Sequence, residues 1–117
     1  MIKVIGLLTV FIGLASCSSL SQADLEGYSK SLEKGKTILK SNIAVEKFKK
    51  YYNAPNHKAF AQSKINGAGA YSTNMTNSEF AVESALEKCH LRLLKKYKEI
   101  TERVSCEIVN IDNQWVK

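Results

Sequence analysis

The chain has no apolar run long enough to cross a bilayer as a permanent helix. Its longest, Val4 to Leu14 (VIGLLTVFIGL), has 11 residues, where a spanning helix needs about 20. It has one proline, Pro55, so it has one sharp break, at Asn53-Ala54-Pro55-Asn56. Its two histidines and three cysteines lack the spacing of a zinc site. Cys89 and His90 are adjacent, so on a helix they point about 100° apart and make no nucleophile–base pair. No metal, no cofactor and no catalytic residue is expected from these residues. Acids are also scarce, 11 against 17 Lys and Arg, for a net charge of +6. A body so charged is drawn to anionic surfaces such as lipid headgroups, lipopolysaccharide or acidic glycans. Solubility alone is the plainer explanation. The length, 117 residues, allows one domain, in the range where a covalent staple helps.

What the amino terminus does have is order. One lysine, Lys3, precedes the Val4–Leu14 run, and Leu14-Ala15-Ser16-Cys17 follows it. This is the anatomy of an export signal. The four residues resemble, position by position, the lipobox of bacterial lipoproteins. The resemblance implies cleavage before Cys17 and acylation of Cys17. It also implies a mature protein held in a membrane by more than one acyl chain, which exceeds the reversible hold of a single chain. Ser18, where an aspartate would signal retention at the inner membrane, implies the outer membrane facing the periplasm. An exported location argues against nucleic acid as a partner. The expected organisation is residues 1–16 signal peptide, 17–23 flexible tether, 24–53 helical segment and 54–117 a small α+β domain.

Within 24–53, Leu25, Tyr28, Leu32, Leu39, Ile43, Val45, Phe48 and Tyr52 repeat imperfectly at helical spacing. Gly27 and Gly35 weaken the first half. Ser41-Asn42 is suited to end one helix and cap the next. The run Lys47-Phe48-Lys49-Lys50-Tyr51-Tyr52 offers a basic and aromatic binding patch through Lys47, Lys49, Lys50, Tyr51 and Tyr52. The commoner outcome for such a run is an aromatic core face and a solvated lysine face.

Beyond Pro55, residues 57–64 and 70–74 read as a β-hairpin around Asn66-Gly67-Ala68-Gly69, with Phe60 and Tyr71 as its large side chains. Thr76-Asn77-Ser78-Glu79 fits a capping box. Val82, Leu86, Cys89, Leu93, Tyr97 and Ile100 then form an amphipathic stripe, with Glu79, Glu83 and Glu87 early and Arg92, Lys95, Lys96 and Lys98 late, as the helix dipole favours. Val104–Ile111 reads as a strand, with Val104, Cys106 and Ile108 on one face and Val109 and Ile111 on the other. Asp112-Asn113 is a turn, and Trp115 a core plug. The fold class is α+β: an N-terminal helical segment, then a hairpin, a long amphipathic helix and a third strand in a small antiparallel sheet packed on that helix.

With Cys17 consumed by lipid, Cys89 and Cys106 remain as a pair in an oxidising compartment, and a disulfide is expected. The bond limits the helix. A straight helix from Cys89 to Arg103 carries the chain about 21 Å away, and three further residues return about 10 Å. With the bond formed, the helix therefore stops or bends by Ile100.

From Asn56 onward, His57-Lys58-Ala59-Phe60-Ala61, the Gly-rich hairpin, the helix with Ala81, Ala85-Leu86 and Cys89, and the later strand with Cys106 resemble small envelope domains of unknown function of the DUF4189 kind. The resemblance covers about half the chain. It implies a small α+β domain with a Cys89–Cys106 bridge, and it brings no catalytic residues. The charged segment from Leu91 to Arg103 departs from that pattern.

The functional expectation is a lipid-anchored, non-enzymatic binding or structural module. Its partner is an envelope protein, peptidoglycan or lipopolysaccharide, and its oligomeric state is left open. The alternative is an inhibitor or accessory of a wall-active enzyme such as lysozyme, with the Asn66–Gly69 turn as its plug. A third reading is a hydrolase pairing His57 with Glu83 or Glu87, which lacks a nucleophile.

Overall fold

Ser41 divides the helical segment. In the computed structural model, which describes residues 22–116, helix α1 spans Gln22–Ile38 and helix α2 spans Asn42–Tyr52. Ser41 sits between them in extended conformation, and its hydroxyl accepts the Ala44 N–H at 3.1 Å. This is the cap that the Ser-Asn pair predicts. The expected signal peptide, the expected lipidation site at Cys17 and most of the expected tether lie outside the described residues. Helix α1 begins at Gln22, so the segment expected to be a tether through Ala23 ends earlier.

The β-hairpin comprises β1 (Ala59–Ser63) and β2 (Gly69–Ser72). Its turn depends on Gly67, whose φ of +72° suits glycine, and whose Cβ, were there one, would lie 2.7 Å from Lys40 Cβ. Helix α3 (Ser78–Tyr97) follows, then β3 (Cys106–Ile111) and β4 (Gln114–Trp115). The four strands form one antiparallel sheet in the order β2-β1-β3-β4. The fold class matches the sequence expectation. The two-residue β4, formed because the Asp112-Asn113 turn folds Trp115 back beside Asn110, adds a fourth strand to the three expected.

Each face of the sheet has its own cover. On one, Ala59, Ala61 and Ala70 meet Ala81, Ala85, Cys89 and Leu93 of α3, all buried. The deepest stripe of α3 therefore begins with three small residues four apart, Ala81, Ala85 and Cys89, which lets helix and sheet approach closely there, and ends in Leu93. Val82, Leu86 and Tyr97 flank it, and Ile100, placed on the stripe by periodicity, lies beyond the helix and is exposed. On the other face, Phe60 and Val109 pack with Leu39, Ala44, Phe48 and Tyr51. The hairpin's large side chains thus point to α2, not to α3. Phe60 and Tyr71 stack with ring centroids 5.8 Å apart. Residues 24–53 and 54–117 consequently share one core, and the boundary expected at residue 53 is a turn inside it.

Three local expectations are corrected. The cap of α3 is Asn77, whose side chain accepts from Phe80 N at 2.9 Å, one residue later than the Thr76 box. Ile111 pairs with Ala59 and lines a groove with Val82 and Glu83, so it lies on the α3 side. The cause is a bulge: Phe60 pairs with Asn110 but Ala61 with Ile108, which leaves Val109 as the extra residue and shifts the alternation. Trp115 is more than a plug. Its ring stacks on Phe48 at 4.6 Å and its Nε1–H donates to Ser31 O at 3.1 Å.

That contact explains Gly35. A Cβ there would lie 2.9 Å from the indole. Alanine in a helix gains about 1 kcal/mol over glycine, but here it must displace a ring. Gly35→Ala is expected to red-shift Trp115 emission and to destabilise by about 1–2 kcal/mol. Unchanged emission with raised stability would show that the indole yields freely.

Helices α1 and α3 run the same way on opposite faces of the sheet. Both begin at one end of the body: Tyr28 packs on Tyr52, Tyr52 O takes hydrogen bonds from Lys58 and Asn113, and Met75, just before α3, exchanges backbone bonds with His57. Both finish at the hairpin turn. Gln62 bonds Ile38 O and Lys40 N, and Lys64 N donates to Ser105 O beyond the end of α3.

Candidate functional site

Strand β2 is an edge strand, and an edge exposes backbone carbonyls that need partners or protection. Here the partners are cations from two helices. Lys47 of α2 and Arg92 of α3 both donate to Gly69 O, at 2.8 and 2.9 Å, and Lys88 of α3 donates to Tyr71 O at 3.2 Å. With Lys50, Ala70 and Tyr71 they line an open groove of about 510 Å³. The lining carries four cations and no carboxylate. Burial and the neighbouring Arg92 charge hold the Lys47 ammonium below its ordinary pKa. An incoming anion relieves that repulsion, and Arg92 has the planar fork that binds carboxylate or phosphate through two hydrogen bonds.

Only part of the patch expected from sequence contributes. Lys47 and Lys50 line the groove. Lys49 pairs instead with Glu46 at 2.9 Å. Tyr51 is fully buried, its hydroxyl donates to Asn110 Oδ1 at 3.0 Å, and burial raises its pKa far above the usual tyrosine range. Tyr52 is half-buried against Tyr28 and Phe48. Lys88 and Arg92 were not singled out together from sequence. The available signal was their spacing: they are four apart, each one residue before a position of the buried stripe, Cys89 and Leu93, and so along its flank.

The remaining polar residues of interest serve the fold. Lys58 is 1% exposed. Its ammonium caps α2 from below, donating to the carbonyls of Tyr51, Tyr52 and Ala54 at 3.0, 2.8 and 2.7 Å, and lies 5.0 Å from the Tyr51 ring centre. Burial lowers its pKa, and the Asp112 charge partly opposes this. The imidazole of His90 accepts the Cys106 N–H at 2.9 Å. Cys89 and Cys106 are disulfide-bonded with Cα atoms 6.2 Å apart. Helix α3 ends at Tyr97, with Lys98 at φ +72° donating to Leu94 O, inside the limit that the bond imposes.

The carboxylate beside His57 is Asp112, at 3.1 Å, and its other oxygen accepts the Lys58 N–H at 2.8 Å. Burial works to raise the Asp112 pKa. The hydrogen bonds from His57 and Lys58, and their charges, outweigh it and hold the group below its ordinary 3.8. A carboxyl depressed by folding contributes stability above its unfolded pKa and loses it as pH falls through the folded value. Asp112→Asn should therefore cost under about 1 kcal/mol at neutral pH, the pair being partly solvated. The difference from the parent should shrink in urea titrations as pH falls from the ordinary carboxylate range through the depressed Asp112 value. A difference constant with pH would assign the effect to packing.

The Asn66–Gly69 turn is tied down: Ser41 Oγ donates to Gly67 O and Lys40 Nζ to Lys64 O, both at 3.1 Å. Among the described residues, no helix is long and apolar enough to cross a membrane, and no three His, Cys, Asp or Glu side chains gather to hold a metal ion. No family model matches this chain, and no curated protein or solved structure is significantly similar to it.

Proposed function

We propose that the chain is a lipid-anchored envelope protein of the outer membrane whose body is a non-enzymatic binding module for an anionic wall polymer such as peptidoglycan. The observation that carries this reading is the groove beside β2, where Lys47, Lys50, Lys88 and Arg92 converge with no acid among them. The lipobox-like Leu14-Ala15-Ser16-Cys17 supports the anchor. The reading as a lysozyme inhibitor has less support, because the turn that would plug a cleft is held against Lys40 and Ser41.

The test is sedimentation of the soluble chain, Ser18–Lys117, with purified peptidoglycan. Binding should weaken with salt, and Lys50→Glu/Lys88→Glu should lower it by about ten-fold or more, since each reversal replaces attraction with repulsion. Both residues are exposed, so the melting temperature should barely change. Binding equal to the parent's in that variant would remove the groove from consideration. For the anchor, Cys17→Ala should move the protein from the membrane fraction to the soluble one.

A further inference from the structure

Strand β2 turns alternate residues to its two sides. Ala68 O accepts the Ser63 N–H of β1 at 2.8 Å. By alternation Ala70 and Ser72 also face β1, and Gly69 and Tyr71 face the free edge. In an antiparallel strand the N–H and C=O of one residue point the same way. Both outward carbonyls are occupied, Gly69 O by Lys47 and Arg92 and Tyr71 O by Lys88. The outward N–H groups find no acceptor among the described residues. The edge is therefore stripped of acceptors and offers only N–H donors and cations. A neutral strand adding here needs those two carbonyls. A carboxylate-rich ligand does not.

The charge is held at two loci. At Gly69 O, Lys47 and Arg92 meet on a single neutral acceptor. Arg92 commits only its Nη1 there, which leaves the rest of its fork for a carboxylate. The second locus is Tyr71 O, with Lys88. The two carbonyls are two residues apart on one strand, about 7 Å. Side chains at i and i+2 of any extended peptide have the same spacing and share a face. The nearest acids in sequence do not fill these loci. Glu46 pairs with Lys49 and lines an adjoining groove with Lys47 and Lys50, and Glu87 lies about 100° around α3 from Lys88. We propose that the groove recognises two carboxylates about 7 Å apart on an extended peptide, one at Lys47 and Arg92 and the other at Lys88. The part of the wall polymer it holds is then the peptide stem, which carries the free carboxylates of peptidoglycan. This rests on the reading of the groove as the polymer-binding site. Once one carboxylate is seated, the second is held close to the other locus, so two weak contacts combine. Lys50, also in the lining, adds long-range attraction.

The probes are three blocked pentapeptides of threonine, titrated against the purified full chain in neutral detergent. One has glutamates at positions 2 and 4, one has them at positions 2 and 3, and one has a single glutamate at position 2. The first should bind about five-fold or more tighter than the second, which has the same charge on opposite faces. Lys88→Gln should bring the first down to the level of the singly acidic peptide and move that peptide by less than about two-fold. Arg92→Lys, which keeps the charge and removes the fork, should weaken the first and the singly acidic peptide alike, by about five-fold. For the polymer itself, amidation of its carboxylates with methylamine should lower co-sedimentation about ten-fold. Equal binding of the two doubly acidic peptides would overturn the proposal. So would competition by inorganic phosphate as strong as that of the first peptide, which would make the groove a plain anion exchanger. The groove reading fails separately. If amidated polymer binds like untreated polymer while Lys50→Glu/Lys88→Glu still abolishes binding, the groove stands and the carboxylate pair falls. If neither treatment nor variant matters, both fall.

Discussion

Replacing Cys89 and Cys106 together with alanine is expected to lower the unfolding free energy by about 3 kcal/mol, a fall in melting temperature of roughly 12–24 °C for a body of this size. The bond closes a loop of 17 residues, and its loss returns that loop's freedom to the unfolded chain. Three structural facts make the loss hard to absorb. Both cysteines belong to the buried cluster between α3 and the sheet, 2% and 8% exposed. The segment between Tyr97 and Cys106 is held by short-range bonds, such as Thr101 N to Val104 O and Ser105 Oγ to Glu102 O. Helix α3 also ends on a non-glycine residue with positive φ, Lys98, a conformation that the return to β3 requires and local preference does not. Calorimetry of parent and double variant, with a reductant-treated parent as a third sample, measures the effect. A melting temperature within about 3 °C of the parent would mean that core packing holds α3 to β3 without the bond.

Lys58→Met should cost about 3 kcal/mol, measured by urea unfolding at neutral pH, where Lys49→Met should leave the unfolding midpoint nearly unchanged. The comparison separates a lysine inside the body from one on its surface. Replacing a buried ion pair with apolar side chains is often neutral, because both partners change together. Lys58 offers no such exchange. Its partners are the backbone carbonyls of Tyr51, Tyr52 and Ala54, which remain in any variant. Methionine keeps the stem but leaves them without that donor, at the C-terminal end of α2 where helix carbonyls lack intrahelical partners. It also removes the charge from the negative end of the helix dipole. A Lys58→Met chain as stable as the parent would mean that water reaches those carbonyls unaided.

Lys58 also shows where sequence reading stops. A lysine between His57 and Ala59 at the start of a strand gives no sign of being buried, because the carbonyls that need it lie on a helix that ends before it. Tyr51 was readable only as one member of a basic and aromatic run. Its burial follows from α2 lying on Phe60 and Val109, a long-range contact. The bulge at Val109 was hidden for a similar reason. Alternation predicts Ile111 on the side of Val109, and only pairing with β1 reveals the extra residue. Gly35 looked like a weakness of α1 until Trp115, far along the chain, proved to need the space.

Taken alone, the sequence determined what depends on neighbours in the chain. It set the break at Pro55, the cap at Ser41, the Gly67 turn, the long helix with acids first and bases last, the export-signal pattern ending at Cys17, and the expectation that Cys89 and Cys106 pair. Tertiary structure decided what depends on direction and contact. It folded the helical segment into the sheet's own core, sent Lys88 and Arg92 to meet Lys47 across the β2 edge, and set α1 and α3 running the same way. The physical reason is range. Capping, turn geometry and the helix dipole act within a few residues, whereas burial and summed charge depend on which elements the fold brings side by side.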